Sequence, residues 1–348
     1  MLATSAPSLR AEFIWDDQRQ VVDTDALDSV ARIPGYFLTG VWKGVGDPAS
    51  SDEMELYRPG FLTALCLTYA IGGADAAVFH GVSVLIHLAV VLMLWGLARR
   101  WLDSPWFALG AGALFAFHPL IAEAYLFVSA MTDTLGAAGV LAAVLLADAA
   151  GGDRRGSPGR RWALALAAGG AALAGLLTKE VVVMALPPLV VWLWRRRAVA
   201  PRHLAPLVLA PVIYAILRFV GLGAMHVAPD GGSQRLAALR NLPILLADAA
   251  RGLVTMQPVG YRELALEYEG LSAIWVAVSV AVVLGLVALA VALRRRIPLL
   301  AVGLVVLLLM LAPVAMVTTV RGWGGFGRYL YLPWAVIALG LAQGARAL

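Results

Sequence analysis

Charged residues are scarce in this chain. Only 14% of its 348 residues are Asp, Glu, Lys or Arg, whereas 61% are hydrophobic. About a quarter of the residues in a soluble domain are charged, because its surface must be solvated. The deficit therefore excludes an ordinary soluble globular protein. Cysteine is almost absent too, and the single Cys66 excludes both an internal disulfide and a metal site built from cysteines.

The hydrophobic residues lie in long runs, such as 82–98, 273–293 and 299–317. A helix needs about 20 apolar residues to cross the roughly 30 Å hydrocarbon core of a bilayer. The runs predict an all-α, polytopic membrane protein with about nine spans. The spans are predicted at 82–98, 106–118, 130–147, 162–178, 181–194, 204–222, 272–293, 298–318 and 329–345.

The net charge of +5 comes from Arg clusters in the short loops between these runs, such as Arg195–Arg197 and Arg294–Arg296. This distribution is typical of cytoplasmic loops under the positive-inside rule and argues against a nucleic-acid partner. If all the clusters are cytoplasmic, the acidic start of the chain and the polar motifs described below lie on the opposite, non-cytoplasmic face.

Two regions are predicted. Residues 1–80 form a non-cytoplasmic first loop with interfacial helices, since the apolar stretch 60–72 is too short to span. Residues 81–348 form the multi-span domain, with an external interfacial segment near 223–271. The N-terminus has no apolar signal region, so we expect a further spanning helix to precede this sequence.

Two adjacent carboxylates, Asp16 and Asp17, follow Phe13-Ile14-Trp15 near the point where the chain would leave a membrane. Neighbouring acids raise each other's proton affinity, which suits general-base catalysis. A solvated acidic pair or a helix cap is the alternative interpretation.

Other polar residues lie at the predicted ends of spans. Carboxylates at the bilayer boundary, here Glu123 and Asp133, are costly unless they are paired or line a polar cleft. Pro119 ends a helix cleanly. His118-Pro119 is therefore open to a purely structural interpretation as a helix terminator. Two interpretations of Lys179-Glu180 stay open: an ion pair with each other, or a lysine that faces a lipid phosphate. Arg328 suits a phosphate contact or interfacial anchoring.

Six motifs occur in a fixed order. They are FIWDD (13–17), YRPGFLTAL (57–65), FHGVSVLIH (79–87), FAFHPLIAEA (115–124) followed by Asp133, LLTKE (176–180) and RYLYLP (328–333). In this order the chain resembles the transmembrane and tetratricopeptide-repeat O-mannosyltransferases. These enzymes belong to the GT-C superfamily, which also includes the protein O-mannosyltransferases and the lipid A aminoarabinose transferases.

The resemblance implies an inverting glycosyltransferase that moves a mannose-like sugar from a polyprenyl-phosphate carrier to an acceptor hydroxyl. It implies that Asp16 is the catalytic acid of the first outer loop and that Asp17 is its acidic neighbour. Substrate-binding roles would fall on the polar residues of the other motifs. Cations would stabilise the leaving phosphate, and carboxylates would bind the sugar or place the acceptor. These residues are Arg58, His118, Glu123, Asp133, Lys179, Glu180 and Arg328.

The implied partners are the lipid-linked donor, membrane lipids and a protein, lipid or cell-wall acceptor. A composition rich in Ala, Arg and Gly favours a bacterial plasma membrane, with the active site facing the periplasm. No metal ligands are predicted, although a divalent metal could assist. Two departures from the family stand out: Met131 occupies a position where the family often has Arg, and residues 1–348 contain no tetratricopeptide repeats.

A transporter or lipid flippase is the alternative from another class. Such proteins place ionisable groups and broken helices at mid-membrane and contain internal repeats. In this sequence the ionisable groups lie at the predicted outer ends of helices, and no repeat is visible. A catalytically inactive membrane scaffold is a third interpretation. The sequence leaves the sugar, the acceptor and the oligomeric state open.

Overall fold

The computed structural model describes residues 9–46, 56–152, 157–196, 199–223, 242, 245–246, 249–250, 252–253, 255, 273–321 and 327–348. Within these residues the chain is helical and has no β-strand. The predicted all-α fold class is therefore confirmed. Most of the external segment predicted near 223–271 lies outside the described residues.

Ten helices of ten or more residues are described. They are α1 Pro59–Gly72, α2 Ala76–Trp101, α3 Pro105–Ala116, α4 Met131–Gly152, α5 Pro158–Leu176, α6 Leu186–Arg195, α7 Pro201–Leu222, α8 Ala273–Leu293, α9 Pro298–Arg321 and α10 Tyr331–Ala347. Shorter helical turns lie at Gln18–Val22, Val30–Arg32, Ile33–Tyr36, Val41–Gly44, Pro119–Ile121, Glu123–Leu126, Val128–Ala130, Glu180–Ala185 and Gly327–Leu330.

Proline marks many of the helix starts. Helices α1, α3, α5, α7 and α9 each begin with a proline. The first position of a helix suits proline, because its missing N–H would have no partner inside the helix and its φ is already helical. These prolines therefore fix where the chain turns from loop into helix, which the hydrophobic pattern alone leaves uncertain.

Four helical segments are long and apolar enough to cross a membrane: Ala76–Trp101, Val128–Gly152, Pro201–Leu222 and Pro298–Ala315. A fifth candidate combines α3 with the turns at Pro119–Leu126, which are bent from it by 52°. Many large apolar side chains on these helices are exposed, as lipid-facing side chains are. The chain is an integral membrane protein. Each of the nine predicted spans contains a described helix, but their number stays a prediction.

The chain divides into two compact units. Unit 1 comprises Met1–Met93 and Tyr125–Val227, and unit 2 comprises Leu94–Ala124 and Ala228–Leu348.

Small residues set the helix packing in unit 1. A Cβ on Gly139 of α4 would lie 2.5 Å from the Cα of Gly175 of α5, so the two backbones are in contact there. A Cβ on Gly169 of α5 would lie 2.7 Å from the Pro206 side chain of α7. Glycine at helix contacts permits such close approach between membrane helices. Together these contacts hold α4, α5 and α7 as one bundle.

The predicted first loop is folded onto this unit. Its apolar side chains, such as Leu27 and Tyr36, share a buried cluster with Phe61 of α1, Phe79 of α2 and Met131 of α4. Tyr36 also donates a hydrogen bond to the Ala26 carbonyl at 2.6 Å. The described part of the acidic N-terminal segment is therefore held by an apolar cluster that it shares with α1, α2 and α4.

Unit 2 is built around α10, most of which is buried. A Cβ on Gly340 would lie 2.4 Å from the backbone of Leu300 in α9, so these helices pack at backbone contact. Phe115 of α3 meets Tyr331 of α10 edge to face, with ring centroids 5.1 Å apart. The Gln343 side chain of α10 accepts a hydrogen bond from Leu299 N at the start of α9.

Candidate functional site

The carboxylate pair follows a strained turn. Trp15 has φ +48°, a left-handed conformation that bulky residues rarely adopt. Its side chain is 63% exposed and touches the ring of Phe127 edge to face. Helical backbone begins at Asp16, immediately after it. Strain of this kind persists only where surrounding contacts enforce it, and it concentrates at functional sites.

Asp17 is fully buried and tied to the turn before α4. Its Oδ1 accepts hydrogen bonds from the backbone N–H of Ser129 at 2.7 Å and from the Ser129 hydroxyl at 2.5 Å. Gln20 Oε1 lies 2.8 Å from the same hydroxyl. A serine hydroxyl carries one proton, so the Gln20 amide fits best with its NH₂ group turned toward Ser129. Asp17 therefore anchors the first loop to the helix bundle.

Burial also affects the acidity of Asp17. Loss of hydration raises the pKa of this carboxyl above its ordinary value, although the Ser129 hydrogen bonds oppose the shift. Its Oδ2 atom is buried and has no hydrogen-bond partner within the described residues. Asp16, by contrast, is partly exposed. Two adjacent carboxylates thus occupy different environments, a common way of assigning them different roles.

Lys179 and Asp133 form a buried ion pair in the same unit. Lys179 Nζ contacts Asp133 Oδ1, and the two side chains are only 4% and 6% exposed. Asp133 lies in the first turn of α4, and Lys179 follows the end of α5. Gly136 makes room for the lysine, since a Cβ there would lie 3.3 Å from the Lys179 Cβ. Both charges are fixed in position and removed from water.

A second ion pair lies beside the first. Arg58 donates two hydrogen bonds to the Glu180 carboxylate, one from Nε at 2.8 Å and one from a terminal nitrogen at 2.7 Å. The start of α1 docks here, because Gly60 N donates to the Leu177 carbonyl at 2.9 Å. Burial favours the neutral form of Glu180, but the Arg58 guanidinium outweighs it and holds the pKa at about 2. Glu180 is therefore ionised at neutral pH.

The remaining predicted residues lie in unit 2. His118 Nδ1 accepts a hydrogen bond from Leu120 N at 3.3 Å, and its Nε2 lies 3.2 Å from the Leu253 carbonyl. A carbonyl only accepts, so the ring carries its proton on Nε2. The ring also packs against Trp334, with centroids 4.4 Å apart. Helix α3 has already ended at Ala116, as the His-Pro sequence predicts.

Arg328 and Glu123 pair within unit 2. Arg328 Nε lies 3.9 Å from Glu123 Oε1, and the Arg328 backbone N–H donates to Glu123 Oε2 at 3.3 Å. Gly327 allows this approach, because a Cβ there would lie 2.3 Å from the Leu120 carbonyl oxygen. The turn at Gly327–Leu330 therefore rests on the turn at Pro119–Ile121.

Each cation proposed from the sequence thus has a carboxylate partner from the same set. The pairs are Arg58 with Glu180, Lys179 with Asp133, and Arg328 with Glu123. The buried Lys179 does not match a lipid-facing lysine. The adjacent pair does interact, because the Lys179 charge helps to lower the pKa of Glu180, but the shortest contacts of the two side chains are with Asp133 and Arg58. Their assignment as substrate-binding residues stays a prediction.

Sequence reasoning missed several contributors. Ser129 donates a hydrogen bond to Asp17 but belongs to none of the six motifs. Only the fold shows that it contacts the first loop. His87 and Tyr125 stack in parallel with centroids 4.1 Å apart, although both lie in or next to the quoted motifs. In the part of the chain that is described, no three His, Cys, Asp or Glu side chains gather as a metal site.

The raised pKa of Asp17 leads to a prediction about stability. The folded state holds this proton more tightly than the unfolded state, so the contribution of Asp17 to stability falls as pH rises above 3.8, its ordinary value. Asp17→Asn keeps an oxygen acceptor for Ser129 but carries no charge. At each pH we compare the unfolding temperatures of Asp17→Asn and the native chain. We expect the difference, variant minus native, to increase as the pH rises toward neutral. Thermal unfolding in micelles across this range is the measurement.

Asp17→Ala is the matched control. It removes the acceptor for both Ser129 donors, and leaving a buried donor unsatisfied costs about 1–3 kcal/mol. It should lower the unfolding temperature at every pH. Equal pH profiles for native chain and Asp17→Asn would contradict the raised pKa.

Comparison with known proteins gives the following relatives. No protein-family model matches the chain. It is 29% identical over 180 residues to protein O-mannosyl-transferase Tmtc1 of Drosophila melanogaster, and 32% identical over 181 residues to Tmtc2 of the same organism. It is 28% identical over 179 residues to protein O-mannosyl-transferase TMTC2 of Homo sapiens. Each match covers 51% of this chain but only 19–21% of the relative, so the matched region is about a fifth of each relative's length.

Among solved structures, the chain is similar to ArnT from Cupriavidus metallidurans. The apo structure gives a TM-score of 0.42 at 17% identity, over 99% of this chain and 76% of that one. The structure bound to undecaprenyl phosphate gives 0.41 at 16% identity, over 98% and 76%. The resemblance to O-mannosyltransferases predicted from the motif order is confirmed by the curated relatives.

Proposed function

We propose that this chain is the membrane-embedded core of an inverting glycosyltransferase. It moves a mannose-like sugar from a polyprenyl-phosphate carrier to an acceptor hydroxyl on the non-cytoplasmic side of the membrane. The names of the curated relatives support the class of reaction. The Arg clusters in the short loops support the orientation.

The observation that carries the proposal is the contrast between the two adjacent carboxylates. Asp17 is buried and bound by Ser129, so it fixes the backbone of the loop. Asp16 is partly exposed beside it, after the strained turn at Trp15. A general base needs both access to substrate and a fixed position. Asp16 has the access, and its neighbour supplies the position.

In the proposed reaction Asp16 accepts the proton of the acceptor hydroxyl. The hydroxyl oxygen attacks the anomeric carbon and forms the new glycosidic bond. The bond between that carbon and the phosphate oxygen breaks on the opposite face, and polyprenyl phosphate leaves with the electron pair. One displacement inverts the configuration of the sugar, and the proton remains on Asp16 until it is released to water.

The ion pairs of unit 1 would serve the leaving group. Fixed charges that need no reorganisation are the most effective stabilisers of charge that develops in a transition state. Lys179 is fixed by Asp133, and Arg58 by Glu180. The carboxylate partners hold each cation in place and reduce the free-energy cost of burying it in the resting protein. The fixed cations would then attract the negative charge that grows on the phosphate.

A transfer assay tests this function. Purified chain in nanodiscs is offered a panel of radiolabelled polyprenyl-phosphate sugars with peptide, lipid and glycan acceptors. We expect label on an acceptor when mannose is the sugar, with the anomeric configuration inverted. Nucleotide-activated mannose serves as the control donor and should give no product. Movement of the intact carrier between leaflets, without transfer of its sugar, would contradict the proposal and favour a flippase.

A further inference from the structure

A cavity of about 290 Å³ lies in unit 1 among the ends of four helices, apart from the residues of the candidate site. The end of α4, the start of α5, the end of α6 and the start of α7 all contribute to it. Its lining includes Gly151, Arg161, Trp194, Pro201, Arg202 and His203. The volume is at the lower limit for small-molecule sites, which run from about 300 to 1,000 Å³. A compact group suits it better than an extended ligand.

The lining is basic. Arg161 and Arg202 carry permanent positive charges, and His203 adds a third group that can bear a proton. Among the described residues that line the cavity, none is acidic. Guanidinium groups bind phosphate through paired hydrogen bonds that match its geometry. The cavity therefore favours a small anion with several oxygens.

The start of α7 adds to this preference. The helix begins at Pro201 after Ala200, whose side chain cannot cap the first-turn N–H groups. The helix has 22 residues, so its N-terminal end carries the full partial positive charge of the helix dipole. Anions are commonly bound at such an end.

His203 gives a second and independent indication. Its side chain is only 4% exposed, and it lines the cavity. Its ring meets Trp162 edge to face at 4.9 Å. Within the part of the chain that the structure describes, the imidazole makes no hydrogen bond to protein. Every form of imidazole carries at least one N–H, which a ligand in the cavity can accept.

We propose that this cavity binds a phosphate group, and that Arg161, Arg202 and His203 are its ligands. Its lining residues Arg161 and Arg202 belong to the Arg-rich segments 154–161 and 195–202 of the sequence, and the aromatic ring of Trp194, also in the lining, is exposed. Basic pockets between membrane helices on the cytoplasmic side bind the headgroups of anionic lipids. The same chemistry would also accept phosphate free in solution. The site does not depend on sugar transfer.

The test compares three probes on the purified full chain: short-chain phosphatidylglycerol, phosphatidylcholine of the same chain length, and inorganic phosphate. Binding is read from the shift in unfolding temperature and from lipid adducts in native mass spectrometry. The site variants are Arg202→Gln, at an exposed position, and His203→Gln. Arg296→Gln is the matched control, because it removes the same charge from an exposed position in another Arg cluster.

We expect phosphatidylglycerol to bind and stabilise the native chain more than phosphatidylcholine does. Each site variant should lose about tenfold in affinity, the effect of one charge-assisted hydrogen bond, and Arg296→Gln should lose little. Stabilisation by inorganic phosphate at the same site would identify free phosphate as a sufficient ligand. Absence of binding by both phosphate probes would overturn the proposal. So would native affinity in both site variants, or an equal loss in Arg296→Gln.

Discussion

Asp16→Asn is expected to lower the rate of sugar transfer by about 10²–10⁴-fold, the usual loss when a general base is removed. The asparagine side chain has the same shape but cannot take the proton of the acceptor hydroxyl. Asp16 is partly exposed, so the substitution should leave the unfolding temperature nearly unchanged. The measurement is the transfer rate from polyprenyl-phosphate mannose under single-turnover conditions, together with thermal unfolding of the same sample.

Asp17→Asn is the matched control for this prediction. It makes the same chemical change one residue along, at a carboxyl that is fully buried against Ser129. Since its role is to position the loop, the variant should keep much more activity than Asp16→Asn. The reverse ranking, with Asp16→Asn active and Asp17→Asn inactive but folded, would assign the base to Asp17. Normal activity of both variants would remove the pair from the catalytic machinery.

The helices follow directly from sequence. Long apolar runs have no stable form in a bilayer other than a helix when barrel strands are absent, and prolines such as Pro105 and Pro201 mark where helices begin. The two compact units do not follow from it. The helix contacts inside unit 1 depend on which glycines meet, as Gly139 and Gly175 do, and an apolar pattern carries no record of such pairings.

The candidate residues could be found from motif order, but their environments could not. Asp16 and Asp17 are chemically identical in the sequence, and only the fold places Ser129 against one of them. Likewise Lys179 and Glu180 are adjacent in the chain, which suggested a shared role. They turn toward partners that are 46 and 122 residues away. Contacts at such separations are determined by packing of the whole chain.

The buried pair of Lys179 and Asp133 should respond to substitution more strongly than any other pair described here. Lys179→Met or Asp133→Asn alone leaves one charge buried without its counterion, and loss of one partner of a buried ion pair costs about 3–5 kcal/mol. The pair is almost fully buried, with side chains 4% and 6% exposed. Equilibrium unfolding in mixed micelles measures the loss. Arg58→Gln is the comparison, and it should cost less because its partner Glu180 is 34% exposed.

The double variant Lys179→Met with Asp133→Leu separates a structural role from a functional one. Replacing both charges by apolar side chains of similar size is often neutral or stabilising, so most of the lost stability should return. Transfer activity should not return, because the fixed cation that attracts the leaving phosphate would be missing. Recovery of both stability and activity would show that the pair only holds α4 to the end of α5, and Lys179 would then leave the candidate site. We expect stability to recover and activity not to. Two apolar side chains can replace the pair in packing, but they cannot replace the positive charge of Lys179.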